Sequence, residues 1–270
     1  EVIPLFHQTV EHIVQTRPEI VVTIDAPEFN FRLARKLREK MDAPPKIIHY
    51  VAPSVWAWRA GRAIKISKFL DGLVCLFDFE PPYFEKYGLS CIAAGHPMVE
   101  NEAMRGNGFR FREEFGILQG DTVIGALFGS RRGEVKRTGP AIRDTVFRLA
   151  DKMERLPHIV APTLPHIESD VRGLLKDYGG HLHVFTEADH KYDAFKAFNV
   201  AVAVSGTVAL ELAALEVPHI IGYKMNPVTA QIIKRMVKVK YAHLANIMAG
   251  AEIVPEFIQN KCVPDDMADA

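Results

Sequence analysis

The sequence predicts an α/β protein with two Rossmann-like domains, each built on a parallel sheet. Apolar runs of strand length alternate with helical patterns along the 270 residues, which is typical of strand–helix–strand units. The alternation is interrupted between Gly95 and Gly120, where the chain is polar and has no strand candidate. We therefore expect a domain over residues 1–97, a linker over 98–120 and a second domain over 121–270, with the sheets facing across a cleft. A single large doubly wound sheet is the alternative.

Eight apolar segments have the length expected of buried parallel strands. They are Ile20–Ile24, Ile47–Val51, Leu73–Phe77, Thr122–Phe128, His158–Ala161, Leu182–Phe185, Val200–Val204 and His219–Tyr223. The clearest helix is Thr138–Met153, because its apolar residues recur at helical spacing.

The composition, 48% hydrophobic and 24% charged, is that of a globular protein able to bury a substantial core. Lys+Arg and Asp+Glu are equal at 33 each, so the overall charge gives no argument for a nucleic-acid partner. Cys75, Cys91 and Cys262 are widely spaced and fit a reducing cytosol better than a disulfide framework. No apolar run approaches the roughly 20 residues of a membrane span. The chain starts inside a helical pattern without a Met, so we expect a fragment that is incomplete at both ends.

The most informative stretch is the junction at Ser205, Gly206 and Thr207, where an apolar strand stops and a helical pattern follows at once. Open parallel sheets bind ligands at such junctions, and a helix N-terminus attracts phosphate. Glu211 lies one turn further along. It is not three residues after either candidate cap, so a capping box does not account for it. We interpret the junction as part of a nucleotide-sugar site; a solvated position for Glu211 is the alternative.

A second strand enters the loop Gly129-Ser130-Arg131. This loop matches neither the dinucleotide fingerprint nor a Walker loop, so the sequence indicates neither NAD nor ATP. Its backbone N–H groups and the Arg131 guanidinium could hold a diphosphate. An ordinary strand–helix turn with surface arginines is equally consistent with the residues alone.

In the first half, Asp25 ends a strand and precedes Pro27 and Glu28. Asp25 and Glu28 have the spacing of a helix capping box, which is the structural interpretation. The functional interpretation makes Asp25 a general base that takes a proton from an acceptor hydroxyl. Spacing alone favours the cap.

Both tryptophans of the chain follow another strand, in the stretch that contains Ser54, Trp56, Trp58 and Arg59. Tryptophan is mostly a core residue, and basic side chains are mostly solvated. The same cluster suits an acceptor with an apolar body and an anionic head, or contact with a membrane leaflet.

No acidic Asp-any-Asp pair occurs, and the histidines do not form a recognisable ligand set. We therefore expect no metal and no cofactor, with the leaving diphosphate stabilised by helix N-termini and Arg131.

Together these motifs resemble the lipid-A-disaccharide synthases, which are inverting glycosyltransferases of GT-B fold in bacterial lipid A assembly. The resemblance extends over nearly the whole chain. It rests on residues 22–30, 49–59, 95–97, 129–131, 205–211, 223–227, 237–241 and 246–250, among which Trp56-Ala-Trp58-Arg59 is highly specific.

The resemblance implies transfer of 2,3-diacylglucosamine from UDP to 2,3-diacylglucosamine 1-phosphate, which gives UDP and a β-1,6 disaccharide. It makes Asp25 the general base and places Arg131 at the diphosphate, Glu211 near the ribose or sugar, and Asn246 in the donor pocket. The Trp56–Arg59 stretch would be on the acceptor side. It implies a cytoplasmic protein without a nucleic-acid partner, and is compatible with peripheral contact with the inner membrane and with a homodimer.

The chain departs from the family pattern at Phe128, Asp78 and Ala245, each of which stands where a proline is usual. These replacements affect loop rigidity more than chemistry. Two other functions remain open: another GT-B enzyme acting on UDP-GlcNAc (a cell-wall transferase or a 2-epimerase), and a non-catalytic two-domain ligand-binding protein.

Overall fold

The computed structural model describes residues 2–100, 105–237 and 239–270. It separates into two units: Glu1–Pro97 with Met236–Lys238, and Met98–Arg235 with Val239–Ala270. Each unit contains one sheet whose paired strands are all parallel. The prediction of an α/β protein with two parallel-sheet domains is therefore confirmed.

The first unit has a four-stranded sheet in the order β1-β2-β3-β4, so neighbours in sequence are neighbours in space. Its core is formed by side chains such as Leu37, Ile47, Leu73 and Phe84, which are almost completely buried. Its elements are α1 (Val2–Thr16), β1 (Ile20–Ile24), α2 (Pro27–Lys40), β2 (Lys46–Tyr50), α3 (Arg62–Ile66), β3 (Gly72–Cys75), α4 (Pro82–Glu85) and β4 (Ser90–Ala93).

The second unit has a six-stranded sheet in the order β10-β9-β8-β5-β6-β7. Its elements are α5 (Gly108–Glu114), β5 (Val123–Leu127), α6 (Arg132–Asp151), β6 (His158–Pro162), α7 (Glu168–Leu175), β7 (Leu182–Phe185), α8 (Lys191–Ala197), β8 (Val200–Val204), α9 (Thr207–Ala214), β9 (His219–Tyr223), α10 (Pro227–Met236), α11 (Leu244–Ala249), β10 (Glu256–Ile258) and α12 (Pro264–Asp269).

The chain of the second unit winds outward from β5 to β7 and then returns to β8, on the other side of β5. The strand order therefore reverses between β5 and β8, which pair in parallel. All five residues of β5 are buried, as expected for a central strand covered on both faces. Gly125 is needed there, because a Cβ at this position would lie 2.4 Å from the ring of Phe198.

The structure adds four features to the sequence-based elements. The strands β4 and β10 were not predicted, and α6 begins at Arg132, six residues before the expected Thr138. The segment expected to be a linker contains α5, whose Phe111 is buried against Phe115 and Phe185. Within the three described ranges, no helix is long and apolar enough to cross a membrane.

Candidate functional site

A pocket of about 590 Å³ opens in the second unit, where the carboxyl ends of β5 and β8 meet. Open α/β sheets bind ligands at this point of reversed strand order, because the loops after the two strands diverge there. The pocket contains all but one of the nucleotide-sugar residues expected from the sequence. They are Gly129, Ser130, Arg131, Ser205, Gly206, Thr207 and Glu211.

The loop after β5 is organised by Glu134, a buried residue in the first turn of α6. Its carboxylate accepts hydrogen bonds from the backbone N–H groups of Ser130 and Arg131, both at 3.3 Å, and from the Arg131 guanidinium at 2.9 Å. Gly129 has φ 90°, and a Cβ on it would lie 2.7 Å from Glu134 Oε2. The two amides that the sequence suggested for a diphosphate are thus bonded within the protein, which leaves the exposed Arg131 side chain as the loop's cationic group.

The loop after β8 presents the start of α9 to the pocket. Gly206 is the N-cap of this helix, and no side chain of the described structure caps it. Ala209 donates its backbone N–H to the carbonyl of Gly206, at 3.1 Å. An uncapped N-terminus carries partial positive charge and directs N–H groups outward, so this end of α9 is suited to an anion.

Glu211 lines the pocket and is buried, so the alternative of a solvated position is wrong, and its carboxylate is paired within the protein. Lys191 Nζ lies 2.7 Å from its Oε2 and 2.8 Å from its Oε1, and the Tyr192 hydroxyl donates to Oε1 at 3.2 Å. Lys191 also lines the pocket and was not recognised in the sequence. Its position soon after β7 could have indicated a place in the site, since the carboxyl ends of parallel strands share one edge of the sheet.

Asn246 is not among the described residues that line this pocket. Its side chain is fully buried: Oδ1 accepts from the N–H groups of Ile253 and Val254, and Nδ2 donates to Val254 O and Glu256 Oε1. An asparagine amide has two donors and two main acceptor sites, so these bonds occupy all of them. The Asn246 side chain therefore fixes residues 252–256, and none of its hydrogen-bonding groups is available to a ligand.

In the first unit, Asp25 lies in the turn between β1 and α2. The N-cap of α2 is Ala26 and no side-chain cap bond is formed, so the interpretation of Asp25 as a helix cap is wrong. Asp25 and Ala26 both have positive φ, 48° and 41°, a conformation that costs L-residues free energy and is often found at functional sites. Asn30 Nδ2 stabilises the turn by donating to Asp25 O at 2.7 Å. The carboxylate itself is exposed.

His49 on β2 lies behind this turn and is completely buried. Its Nδ1 is 2.8 Å from Thr23 Oγ1, while its Nε2 has no hydrogen-bond partner in the described structure. Burial lowers the pKa of His49 to about 4, although the nearby negative charge of Asp25 acts in the opposite direction. The ring is therefore neutral near pH 7.

The residues expected on the acceptor side divide into two groups. Trp56 is partly buried, and its indole N–H donates to the buried carboxylate of Glu80 at 3.1 Å, which is a structural contact. Ser54, Trp58 and Arg59 are exposed, with the Arg59 guanidinium 4.2 Å from the centre of the Trp58 ring. Only the second group is available to a ligand.

Comparison with known proteins identifies the family. The family model described as lipid-A-disaccharide synthetase matches residues 2–270. The chain belongs to the lipid-A-disaccharide synthetase family. It is 45% identical over 262 residues to the lipid-A-disaccharide synthase of Rhodospirillum centenum, and 38% identical over 270 residues to that of Ruegeria pomeroyi. These matches cover 97% of this chain and 65% and 66% of the relatives, so the chain spans about two thirds of their length.

Solved structures show the same fold at low sequence identity. S. aureus MnaA with UDP has a TM-score of 0.62 at 12% identity, covering 99% of this chain and 74% of that one. The UDP-N-acetylglucosamine 2-epimerase of Rickettsia bellii has a TM-score of 0.60 at 14% identity, covering 100% and 70%. MurG of Acinetobacter baumannii has a TM-score of 0.54 at 11% identity, covering 99% and 68%. These similarities confirm the GT-B-like fold class.

Two of the positions at which a proline was expected have local consequences. Phe128 is buried and also lines the pocket, so it contributes to the apolar floor. The backbone N–H of Ala245 donates to His243 Nδ1 at 3.0 Å, a bond that proline could not make. Among the described residues, no three His, Cys, Asp or Glu side chains are grouped as a metal site.

Proposed function

We propose that the protein is the glycosyltransferase that the family name describes, and that it joins two acylated glucosamines. The donor is UDP-2,3-diacylglucosamine, the acceptor is 2,3-diacylglucosamine 1-phosphate, and the products are UDP and a β-1,6-linked disaccharide 1-phosphate. The observation that carries the proposal is the pocket at the reversal of strand order, in a chain that matches the family over residues 2–270.

UDP binding in this pocket is supported by individual anion-binding groups and not by its net charge, since Glu134, Glu187 and Glu211 also line it. Arg131 and Lys191 are the basic side chains among the described residues of the pocket wall, and the uncapped start of α9 adds a third source of positive potential. A diphosphate is bound well by such a combination, because charge-assisted hydrogen bonds are about twice as strong as neutral ones. The structural relative MnaA, solved with UDP, has the same fold.

For the chemistry we propose Asp25 as the general base. The acceptor O6–H transfers its proton to the Asp25 carboxylate while O6 attacks C1 of the donor sugar. The bond between C1 and the diphosphate oxygen breaks, and its electron pair leaves with UDP. Attack opposite the leaving group inverts C1 from α to β. The exposed carboxylate of Asp25, which caps no helix, is free for this task. We propose that the reaction needs no metal, with Arg131, Lys191 and α9 stabilising the leaving UDP.

The test is UDP release by the full-length protein in the presence of EDTA, with the two lipid substrates and, separately, with unacylated UDP-GlcNAc. We expect turnover only with the acylated pair. UDP release with UDP-GlcNAc and an unacylated acceptor, but not with the acylated pair, would instead indicate another UDP-GlcNAc transferase, and conversion of UDP-GlcNAc to its 2-epimer without net UDP release would indicate an epimerase. UDP binding without turnover of either donor would indicate a ligand-binding protein. Turnover that EDTA abolishes and Mg²⁺ restores would reject the metal-free mechanism.

We further propose that the protein acts on the cytoplasmic face of the inner membrane, as a peripheral protein, because its substrates carry acyl chains. Ile233 and Met236 at the end of α10 and Val237 directly after it are exposed, next to the exposed Arg235, a combination that favours the lipid interface. Replacing Ile233 and Met236 with serine should reduce sedimentation with phospholipid vesicles, and unchanged sedimentation would reject this contact. A homodimer also stays a proposal, which sedimentation velocity would test.

A further inference from the structure

Besides the pocket of the second unit, the first unit has a pocket of about 500 Å³. The proposed general base, Asp25, is not among the described residues that line it. Its floor is apolar and consists of Phe31, Ile66 and Phe69, all of them buried. Its walls come from α2, from α3 and from the segment that leads into α3. Such a concave apolar surface can receive part of a ligand, and the groups around it decide which kind.

The rim of this pocket is strongly basic. Arg35, Arg59, Arg62 and Lys65 line it, and among the described residues of its lining Glu28 supplies the one carboxylate. Glu28 is paired with Arg62, with Oε1 and Nη2 2.9 Å apart. The pocket therefore carries a clear excess of positive charge. Like charges gathered around one depression repel each other, so the arrangement favours a bound anion.

Aromatic rings hold two of these cations in place. The Arg62 guanidinium lies 5.1 Å from the centre of the Phe31 ring, and the Arg35 guanidinium lies 5.8 Å from that of Phe69. Arg35 also donates its Nε–H to Phe31 O at 3.2 Å. A guanidinium stacked in this way keeps N–H groups directed away from the ring, so it needs little reordering to bind an oxyanion.

The pocket adjoins the proposed general base. Pro27 and Glu28 on its wall follow Asp25 in the chain. In addition, the charges of both Asp25 and Arg62 act on the pKa of the buried His49. The carboxylate and the basic rim are thus within electrostatic range of the same ring. An acceptor bound with its anionic group on this rim would have its sugar near Asp25.

We propose that this pocket binds the phosphate monoester of the acceptor, with Arg35, Arg62 and Lys65 as the phosphate ligands. The aromatic floor of the pocket would then contact the apolar part of the acceptor that lies next to the phosphate. The proposal rests on the proposed function, since it names the subsite of that reaction's acceptor. A phosphate monoester fits because it carries about −1.5 to −2 charges at pH 7 and three acceptor oxygens. An acylated sugar phosphate combines this head with the apolar body that the floor requires.

The first arm of the test measures binding without turnover, using n-octyl phosphate as the probe in isothermal titration calorimetry. The double variant Arg35→Gln/Lys65→Gln removes two exposed cations of the rim. We expect its Kd for octyl phosphate to rise about tenfold, as expected for the loss of two partly exposed charge contacts. The matched control Arg32→Gln/Lys36→Gln removes two exposed cations of α2 that do not line the pocket, and should bind like the wild type. Octyl glucoside, which lacks the phosphate, should bind all three proteins equally weakly.

The second arm uses turnover by the full-length protein. We expect Arg35→Gln/Lys65→Gln to raise the KM for the acceptor about tenfold and to leave the KM for the UDP donor unchanged. With an acceptor lacking the 1-phosphate, the variant and the wild type should have the same KM for the acceptor.

A variant indistinguishable from its control in both arms would overturn the proposal. A loss of binding to phosphatidylglycerol vesicles with an unchanged acceptor KM would also overturn it, in favour of a membrane contact. Wild-type binding of octyl phosphate with no turnover of either lipid would reject the proposed function and keep the phosphomonoester site.

Discussion

Lys191 and Glu211 form an ion pair on the wall of the pocket in the second unit, with Nζ 2.7 Å from Oε2. The carboxylate is mostly buried, and the Tyr192 hydroxyl donates to it as well. A buried carboxylate needs such partners, because burial of an unpaired charge is very costly. Glu211 therefore holds the Lys191 ammonium at the site where we place the diphosphate of the donor.

Replacing Lys191 with methionine should weaken UDP binding. A hydrogen bond to a charged group is worth roughly 1.5–3 kcal/mol, so the Kd for UDP should rise about 10-fold to 100-fold. Calorimetric titration with UDP measures the change. Lys196→Met is the control, since Lys196 is an exposed lysine of the same helix that does not line the pocket. Equal UDP affinity of Lys191→Met and the control would show that Lys191 does not contact the nucleotide.

Replacing Asp25 with asparagine should lower kcat by roughly 10²-fold to 10⁴-fold, the usual contribution of general acid–base catalysis. The melting temperature should hardly change, because Asp25 is exposed and forms no helix cap. Steady-state kinetics and thermal melting of the same preparation separate these effects. A normal kcat with a lowered melting temperature would mean that Asp25 is structural after all.

Replacing Asn246 with alanine should act on stability and not on donor binding. The substitution removes buried hydrogen bonds to Ile253, Val254 and Glu256. We expect the free energy of unfolding to fall by about 2–4 kcal/mol, since buried groups are left without partners. Urea denaturation measures this, with the exposed Asn260→Ala as a control expected to change stability by less than about 0.5 kcal/mol. A stable Asn246→Ala protein with weak UDP binding would restore Asn246 to the donor site.

The stability of the protein should depend on pH through His49. Its pKa is about 4 in the folded protein, against 6.5 for an unperturbed histidine, so the unfolded chain binds the proton more readily. The free energy of unfolding should therefore fall as the pH decreases from about 6.5 to about 4, with His49 contributing up to roughly 3 kcal/mol. Urea denaturation across this range should give a shallower slope for His49→Gln than for the wild type. The exposed His12→Gln is the control, and equal slopes in the two variants would contradict the assignment.

The sequence predicted best the strands whose patterns are long and apolar. The bounds of β1, β7, β8 and β9 agree with the expected segments. The strands β4 and β10 were missed because they have four and three residues and lie at sheet edges, where partial exposure leaves no continuous apolar run. The start of α6 was missed because residues 132–137 contain four charged residues, one glycine and a single apolar residue, Val135, so no apolar periodicity is visible there. Inside the helix the fold overrides propensity: Gly139 lets Leu174 approach within 2.7 Å of where a Cβ would lie.

For the candidate site, the sequence located the loops but not the bonding of their side chains. The position of Gly129 and Ser205 at strand ends follows from the strand pattern. That Glu134 occupies the amides of the first loop depends on a side-chain conformation which spacing does not specify. The pairing of Lys191 with Glu211 joins two helices separated by β8, and only the folded sheet brings them together. Similarly, a cap assignment for Asp25 fails because the backbone turns left-handed at that residue.

The measurement that tests the central claim most directly is the structure of the sugar product, determined by NMR spectroscopy. The full-length protein would be incubated with UDP-2,3-diacylglucosamine and 2,3-diacylglucosamine 1-phosphate. We predict a disaccharide 1-phosphate joined by a β-1,6 linkage, since the acceptor O6 attacks C1 opposite the leaving UDP. An α linkage, or a free 2-epimer of the donor sugar in place of a disaccharide, would contradict inverting transfer with Asp25 as the base.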